Sequence, residues 1–466
     1  MGQTNYIVAI ELSSSKVTGA AGIETHNGMK IIAAASTRVD DFISKGIVRN
    51  VDKASEAISN IVNSLEMSLI EETGEDITIK KAYVALSGLT LQSIHSSITH
   101  NFGTHTKITA DHINELAIKN DSTFQVPEGY DKVQVITQEY KTDGKVNRDP
   151  IGAPAMILEG NYLNIIIKKQ FLDQLCESFR MAKTEIADSF IAARMDADII
   201  LTKDDRRDGC ALVNIGADTT TVAVYNKDHL RKLAVIPFGS RNITRDMCSE
   251  KISFDEAEAI KMGRGYRSKT AENDPIDNET VNNIIAGRMS EILQNVKYQI
   301  NEAEEPINNI IFTGGGSRLK NMELLLEEYL PDFKTSILSD PKLTFECAPR
   351  VNSIGISTTA LYGLLNQGKE NCCEIVRQTP PPLNGQLFGN ETIEKDEPKK
   401  EVPEKKEEKK VPKEPEKKKE KNKDKKKETK STPLFGDLFG NFRDTVHGLI
   451  KTATSEDPEQ DTDNDE

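Results

Sequence analysis

The pattern of hydrophobic and polar positions repeats one β-hairpin in the two halves of the chain. Residues 6–22 (YIVAIELSSSKVTGAAG) and 211–225 (ALVNIGADTTTVAVY) each contain a β-rich run, a turn of small polar residues and a second β-rich run. Residues 310–319 (IIFTGGGSRL) form a third predicted strand, which three glycines interrupt. Such runs bounded by small polar residues are typical of strands joined in hairpins. Two similar hairpins predict a duplicated domain that holds a ligand between its hairpin turns.

The composition of these turns indicates the kind of ligand. Turns rich in Gly, Ser and Thr can direct backbone N–H groups and hydroxyls inward, and such groups suit phosphate oxygens. A glycine triplet after a buried strand lets another group come close to the backbone. The ordered set of three segments therefore predicts a nucleotide site, with phosphates at the hairpin turns and adenine or ribose at the glycines.

Helical periodicity predicts two long amphipathic helices, near residues 52–73 and 278–304. Between residues 87 and 164 the pattern changes to polar β alternation with a short helix after Thr109, which is the length of a small inserted subdomain. The apolar face of the first long helix consists of Ala54, Ile58, Ile61, Val62, Leu65 and Leu69.

Composition limits the classes of partner. The chain has 466 residues, which is enough for two or more domains, and a formal net charge of −14. An acidic chain with a pI of about 5.2 is not expected to bind nucleic acid. Its six cysteines fall in no metal-ligand spacing, so we expect reduced thiols.

A charged, proline-containing segment follows the predicted domains. Residues 395–430 contain 17 Lys against 11 Asp or Glu, an excess of six positive charges, and they have no apolar face. Such a segment cannot bury a core, and we expect a disordered tether. Its weakly basic character favours an anionic membrane surface.

The chain then becomes apolar again in a pattern that predicts an amphipathic helix. At 100° per residue, eight apolar side chains project within an arc of about 160°. No folded domain remains nearby to cover them, so the helix is expected to lie in a bilayer interface; docking in a partner's groove and folding back onto the chain's own domain are the alternatives. These side chains are Leu434, Phe435, Leu438, Phe439, Phe442, Val446, Leu449 and Ile450.

Short motifs in the chain resemble those of the FtsA family of bacterial cell-division proteins, within the actin and sugar-kinase ATPase superfamily. The resemblance extends over about residues 5 to 370 and recurs at many points. The motifs are Gly46-Ile47-Val48 before the first long helix, QEY at 138–140 with NRDPIG at 147–152, ITRD at 243–246 with AEAIK at 257–261, and STTA at 357–360 followed by Gly363.

The resemblance implies an α/β fold. It is an actin-like duplicated fold with two halves around a nucleotide cleft, an inserted small α+β subdomain, and a disordered C-terminal tail that ends in an amphipathic helix. The implied boundaries are 1–86 and 165–196 for the first half, 87–164 for the inserted subdomain, 197–363 for the second half with its outer part at about 235–305, 364–390 for the end of the fold, 391–430 for the tether, 431–452 for the membrane-targeting helix and 453–466 for an acidic tail.

The resemblance also implies ATP and magnesium as ligands, and it assigns a role to each site residue. The first phosphate loop carries Lys16 as a cation beside the phosphates, and Glu11 keeps a carboxylate that holds the metal through water. The assigned residues are Ser13, Ser14 and Lys16 on the first loop, Gly216, Ala217 and Thr219 on the second, Gly314, Gly315 and Gly316 at the adenosine, and Glu258 and Lys261 near the ribose and base.

Two positions depart from the family's pattern. Where members carry an acid that helps to hold magnesium, this chain has the uncharged Asn214, which is a poorer ligand partner. Where members carry a glycine, it has Asp218, which we expect to place a negative charge near the phosphates. Because phosphoryl transfer depends on charge neutralisation by a well-placed metal, we expect at most a weak ATPase and no enzymatic role.

The implied function is that of a cell-division adaptor. It would bind ATP, self-associate and anchor the FtsZ ring at the division site, as a peripheral protein on the cytoplasmic side of the cell membrane. Implied partners are the C-terminal peptide of FtsZ, further copies of the chain, membrane lipid, and other division proteins at the inserted subdomain. Arg288 matches a basic residue of the family and is the candidate for the peptide's carboxylates.

Two other classes of function stay open on the same fold. One is a pilus- or secretion-type assembly protein, and the other is an ATP-dependent small-molecule kinase. A kinase needs a carboxylate base and a substrate pocket, which the loss of the acid at Asn214 opposes. Neither class has an evident use for the terminal amphipathic helix.

Overall fold

The structure is a computed structural model that describes residues 4–267, 275–338, 346–348, 351 and 359–375. The predicted tether and terminal amphipathic helix lie outside these residues, as do Ser357 and Thr358. Within the described part of the chain, no helix combines the length and the apolar character needed to cross a membrane.

The described part of the chain mixes strands and helices. The strands are β1 (Tyr6–Leu12), β2 (Lys16–Thr25), β3 (Gly28–Arg38), β4 (Ile43–Ser44), β5 (Ile47–Val48), β6 (Ile77–Ile79), β7 (Lys81–Leu86), β8 (Gln92–Lys107), β9 (Tyr130–Thr142), β10 (Lys145–Asn147), β11 (Pro154–Lys168), β12 (Glu185–Ile191), β13 (Cys210–Ile215), β14 (Thr220–Asn226), β15 (His229–Ile236), β16 (Asn309–Thr313), β17 (Lys334–Ile337), β18 (Glu346–Cys347) and β19 (Cys373–Ile375). The helices are α1 (Val51–Thr73), α2 (Ala110–Thr123), α3 (Lys169–Met181), α4 (Ala192–Ile200), α5 (Lys203–Asp208), α6 (Arg241–Met247), α7 (Phe254–Arg264), α8 (Asn278–Asn301), α9 (Met322–Tyr329) and α10 (Thr359–Gln367).

Two sheets that share a five-strand order form the frame of the fold, and the first carries a sixth strand, β18, parallel to β3. In the first sheet, β1, β2 and β3 run antiparallel, and β7 and then β12 add in parallel on the other side of β1. In the second sheet, β13, β14 and β15 run antiparallel, and β16 and then β17 add in parallel beside β13. The strand order therefore confirms the duplicated α/β fold that the two hairpins predict.

The first long helix forms where the periodicity places it. Helix α1 begins after Asn50, whose side chain accepts a hydrogen bond from Lys53 N, and it ends at Gly74 with a φ of 72°. Glycine adopts this left-handed conformation without the steric cost that a side chain brings. All six predicted apolar positions are buried, and α1 packs on β2 and β3.

The second long helix is shorter than its apolar pattern predicts. Helix α8 ends at Asn301, and three residues later Glu304 has a φ of 53°. A left-handed residue stops helical propagation, so the pattern to residue 304 overestimates the length. The buried residues of α8 close the core of the second half together with β13, β14 and β16.

A small four-stranded sheet, in the order β10-β9-β11-β8, is inserted between β7 and β12. Helix α2 packs on it and begins at Thr109 with a capping box to His112. The sheet also contacts the second half, because Gln138 donates to Leu230 O at 3.0 Å and accepts from Arg231 Nη1 at 3.1 Å. Gln138 opens the QEY motif, and its buried amide fixes the inserted sheet to β15.

Candidate functional site

A cavity of about 500 Å³ lies between the two halves. The turn between β1 and β2, the turn between β13 and β14, the glycines after β16 and one face of α7 form its walls. The cavity brings together all twelve residues proposed for nucleotide and metal: Glu11, Ser13, Ser14, Lys16, Gly216, Ala217, Thr219, Glu258, Lys261, Gly314, Gly315 and Gly316. Their assignment to individual parts of a ligand stays a prediction.

The first hairpin turn is closed by its own backbone and carries a cation. Ser13 N donates to Lys16 O at 3.0 Å, and Ser14 Oγ accepts from Gly46 N at 2.8 Å. Burial lowers the pKa of Lys16, while the charge of Glu11 raises it and that of Arg318 lowers it further. The Lys16 ammonium thus lies at the cavity with an acid and a second cation close by, which suits a polyanionic ligand.

The second hairpin turn repeats this backbone without a cation of its own. Gly216 N donates to Thr219 O at 2.9 Å. Two successive backbone N–H groups at the start of α6 satisfy carbonyls of the turn: Ser240 N donates to Gly216 O at 3.0 Å and Arg241 N to Ala217 O at 2.8 Å. The turn is therefore held from outside by a helix N-terminus.

Asp218 does not behave as the sequence analysis predicts. It is 3% exposed and is absent from the cavity lining. Its Oδ1 accepts from Arg241 Nη1 at 2.9 Å and its Oδ2 accepts from Lys45 N at 3.1 Å. The negative charge expected near the phosphates is therefore not found at the cavity lining, because this carboxylate is buried in an ion pair with a guanidinium. The prediction of weak turnover then depends on Asn214 alone.

The same ion pair joins the two halves across the cleft. Besides Asp218, Arg241 donates from Nη2 to Ser14 O at 2.7 Å. Lys45 and Gly46 have φ values of 53° and 70°, and this left-handed turn presents successive N–H groups to Asp218 and to Ser14. We refer to Ser14, Lys45, Gly46, Asp218 and Arg241 as the cleft bridge.

The three glycines after β16 have different roles. A Cβ on Gly314 (φ 88°) would meet Asn214 Oδ1 and would lie 2.6 Å from Ile215 O, and a Cβ on Gly316 would meet the Ile215 side chain. Gly315, in contrast, would have no atom within 4 Å of a Cβ. Gly314 and Gly316 thus allow close packing on β13, and Gly315 alone offers open space for a ligand.

Helix α7 places a half-buried ion pair at the cavity wall. Lys261 Nζ donates to Glu258 Oε2 at 2.7 Å and to Thr244 Oγ1 at 2.9 Å, and Thr244 Oγ1 itself donates to Glu258 Oε2 at 2.6 Å. Burial lowers the pKa of Lys261. Burial would raise the pKa of Glu258, but hydrogen bonds from Lys261 and Thr244 outweigh it and lower the value. The pair offers one donor and one acceptor, which suits hydroxyls of a ribose.

The cavity also contains an acid that the sequence analysis missed. Asp196 on α4 is 3% exposed and lines the cavity. Its Oδ2 accepts from Asn214 Nδ2 at 2.8 Å, and its Oδ1 accepts from Thr359 Oγ1. Burial raises the pKa of Asp196, and the hydrogen bonds from Thr359, Asn214 and the Ala360 backbone oppose this. The available signal was the pair of aspartates, Asp196 and Asp198, in the otherwise apolar stretch of residues 195–201.

Arg288 lies on α8 and is absent from the cavity lining. It forms a two-point ion pair with Asp246 on α6, with Nη2 to Oδ1 at 3.0 Å, and donates from Nη1 to Glu291 Oε2 at 2.8 Å. The side chain is 33% exposed. The cluster has two negative groups and one positive group, so Arg288 does not present an uncompensated positive charge.

Comparison with known proteins relates this architecture to one family. The model of the family "Cell division protein FtsA" matches residues 211–348, and that of the "SHS2 domain inserted in FTSA" matches residues 88–166. The chain is 24% identical to cell division protein FtsA of Porphyromonas gingivalis over 84% of this chain and 85% of that protein. It is 23% identical to the same protein of Bacillus subtilis, over 71% and 78%.

A solved structure agrees in fold. A PilM–PilN type IV pilus biogenesis complex superposes with a TM-score of 0.55 at 14% identity, over 77% of this chain and 97% of that chain. Two sheets that share a five-strand order around a cleft, with a further sheet inserted in the first half, define an actin-like fold. Within that class the chain belongs to the FtsA family of cell-division proteins.

Proposed function

We propose that this protein is a cell-division adaptor that binds ATP with magnesium between its halves, self-associates and anchors the FtsZ ring to the cytoplasmic face of the membrane. The observation that carries the proposal is the convergence of twelve residues from distant chain segments in one cavity. Membership of the FtsA family supports the division role and the implied partners.

The chemistry of the cavity fits a nucleoside triphosphate. Its volume lies in the range typical of small-molecule sites. Lys16 supplies positive charge where two hairpin turns present N–H groups and hydroxyls, and Gly315 leaves open space on the opposite wall. The Glu258–Lys261 pair lies beside that space and can bond sugar hydroxyls.

Magnesium fits as a partner of the phosphates. It keeps several waters in proteins and binds through one or two carboxylates together with substrate phosphates. Glu11 lines the cavity beside Lys16 and can hold such waters. The ion would neutralise phosphate charge, but Asn214 adds no charge of its own, so we expect slow turnover or none.

The nucleotide site is tested most directly at Gly315. Gly315→Leu has room for its Cβ and should fill the open space, so ATP affinity should fall by about a hundredfold or more, measured with a fluorescent ATP analogue and magnesium. Gly287→Leu is the matched control, since Gly287 on α8 also has nothing near a Cβ and does not line the cavity. Equal ATP affinity of the two variants would remove the nucleotide from the proposal.

Arg288 remains the proposed contact for the FtsZ peptide, and its ion pairs sharpen the test. Arg288→Gln should weaken binding of a C-terminal FtsZ peptide in calorimetry, because one charge-assisted bond is lost. Asp246→Asn should strengthen the same binding, since it releases the guanidinium from its two-point partner. If Arg288 serves only the α6–α8 packing, both variants lose stability and neither changes peptide affinity.

Membrane anchoring is proposed from residues 434–450, which lie outside the described residues. Burial of eight apolar side chains in the interface supplies several kcal/mol, at about 25 cal/mol per Å². A single copy should bind reversibly, and linked copies should bind together at high effective concentration. Phe439→Asp should abolish co-sedimentation with anionic liposomes. Asn441→Asp adds the same charge to the opposite face and should not. Equal pelleting of the natural chain and Phe439→Asp would favour a protein-docking helix.

A further inference from the structure

One wall of the cavity holds a carboxylate that has no role in the arrangement described above. Asp196 comes from α4, between the two halves of the duplication, and it lines the cavity together with Glu11 and Asn214. Its side chain accepts from Asn214 Nδ2 at 2.8 Å, so the acid and the amide form one hydrogen-bonded unit.

The surroundings of this carboxylate leave its charge uncompensated. Its hydrogen-bond donors are neutral: Asn214 Nδ2, Thr359 Oγ1 and the backbone N–H of Ala360. Among the described residues, none places a Lys or Arg within ion-pair distance of it. A buried carboxylate without a cation is costly, even when hydrogen bonds hold it. A cation in the cavity would offset that cost.

Asn214 occupies the position of β13 that corresponds to Glu11 of β1. Glu11 pairs in register with Thr18, and Asn214 pairs in the same way with Thr221. The carboxylate absent from this strand position is present on the side chain that Asn214 contacts. At the second hairpin, the carboxylate is therefore carried by helix α4, and a hydrogen bond links it to the β13 residue that stands where Glu11 stands in β1.

We propose that Asp196 supplies the acid that Asn214 lacks, and that Asp196 and Glu11 together hold the magnesium ion of the bound nucleotide through the ion's water ligands. The inference rests on the proposed nucleotide function. Asn214 then acts as a positioning residue, because its amide orients the Asp196 carboxylate.

Exchange of the two residues tests this assignment. ATP affinity is measured with a fluorescent analogue in excess magnesium and in EDTA, for the natural chain, Asp196→Asn and the double variant Asp196→Asn/Asn214→Asp. Asp196→Asn should lower ATP affinity about tenfold or more in magnesium. In EDTA, the same substitution should change ATP affinity little. The double variant returns the carboxylate to β13 and should recover most of the loss.

Asp198→Asn is the matched control, since Asp198 lies on the same helix, does not line the cavity and pairs with Arg206 at 2.9 Å. It should leave the magnesium dependence unchanged. A purely structural Asp196, bonded to the start of α10, would give a different result: Asp196→Asn would lower the unfolding temperature and change both affinities equally.

Each outcome decides a separate point. If the natural chain binds no ATP, the proposed function fails and this inference fails with it. If it binds ATP with magnesium and Asp196→Asn binds equally well, only the inference is overturned. A double variant that stays as weak as the single one would also overturn it, because the loss would then be one of packing and not of charge position.

Discussion

The two hairpin turns of the cavity share one backbone and differ in the use of charge. In each turn the first residue donates its N–H to the carbonyl three residues later, at 3.0 Å from Ser13 to Lys16 and at 2.9 Å from Gly216 to Thr219. The flanking strands also pair in the same register. Ser15 and Asp218 thus occupy equivalent positions, as do Lys16 and Thr219.

The charged side chains at the first turn lie at the cavity, whereas the charged side chain of the second turn lies away from it. Glu11 and Lys16 line the cavity on the first side, and Asp218 is buried against Arg241 on the second. A duplicated backbone therefore need not retain a duplicated role. The first turn provides the cation for a ligand, and the second provides the acid that ties the halves together through the cleft bridge.

The largest effect is expected from breaking the cleft bridge at its acid. Asp218→Ala would leave the Arg241 guanidinium, 15% exposed, without its carboxylate, and we expect a loss of about 3 kcal/mol in the free energy of unfolding by urea. Ser15→Ala changes the equivalent position of the first turn, where the side chain is exposed, and should cost under about 0.5 kcal/mol. Equal losses would show that the bridge does not stabilise the fold.

A second prediction concerns the cation that only the first turn carries. Lys16→Met keeps the apolar stem and removes the charge, so ATP affinity in magnesium should fall by about 2 kcal/mol, roughly thirtyfold. Thr219→Val at the equivalent position should cost less, since it removes no charge and its backbone carbonyl still accepts from Gly216. Titrations of both variants at low and high salt provide the check, because salt should narrow the gap. A greater loss for Thr219→Val would reverse the comparison.

Local patterns predicted the fold and the residues that line the cavity. The hairpins follow from continuous β-rich runs bounded by turn residues, and α1 follows from apolar positions at a period of 3.6, both of which a sequence displays directly. The twelve cavity residues followed from three short segments and the family resemblance. The end of α8 was missed because the predicted helix runs to residue 304, where the backbone is already left-handed, three residues beyond Asn301.

Pairings between distant residues could not be read from the sequence. Asp218 meets Arg241, which in turn meets Ser14 from the other half. Asp196 and Thr359 are also far apart in the chain. The direction of a turn or helix side chain is decided by the tertiary partner that it finds, and no local rule supplies that partner. A negative charge was therefore predicted at the phosphates, and a buried ion pair was found.

A smaller effect is expected at the hydroxyl of the first turn. Ser14→Ala removes the acceptor of Gly46 N, and a buried N–H without its partner costs about 1 kcal/mol in the free energy of unfolding. Ala217→Ser at the equivalent position of the second turn adds a hydroxyl where no such bond exists and should change stability by less. Urea unfolding of the two variants compares them, and a larger effect at Ala217 would contradict the different roles of the turns.

The smallest effect is expected in the pH dependence of the acid beside the second hairpin. Burial raises the pKa of Asp196, so above the ordinary aspartate value of about 3.9 the folded chain retains this proton more firmly than the unfolded chain. The stability that Asp196 contributes is therefore complete below that value and is lost as pH rises through the folded pKa. Asp196→Asn does not undergo this loss of stability, because its amide does not ionise.

In EDTA and without nucleotide, the unfolding temperature of the variant relative to the natural chain should increase from pH 4 to pH 8. Other titrating groups are common to both chains and cancel in the difference. If this difference in unfolding temperature stays constant or shrinks as pH rises, the three hydrogen bonds fully offset the burial of the charge. The ionised Asp196 would then not destabilise the folded chain.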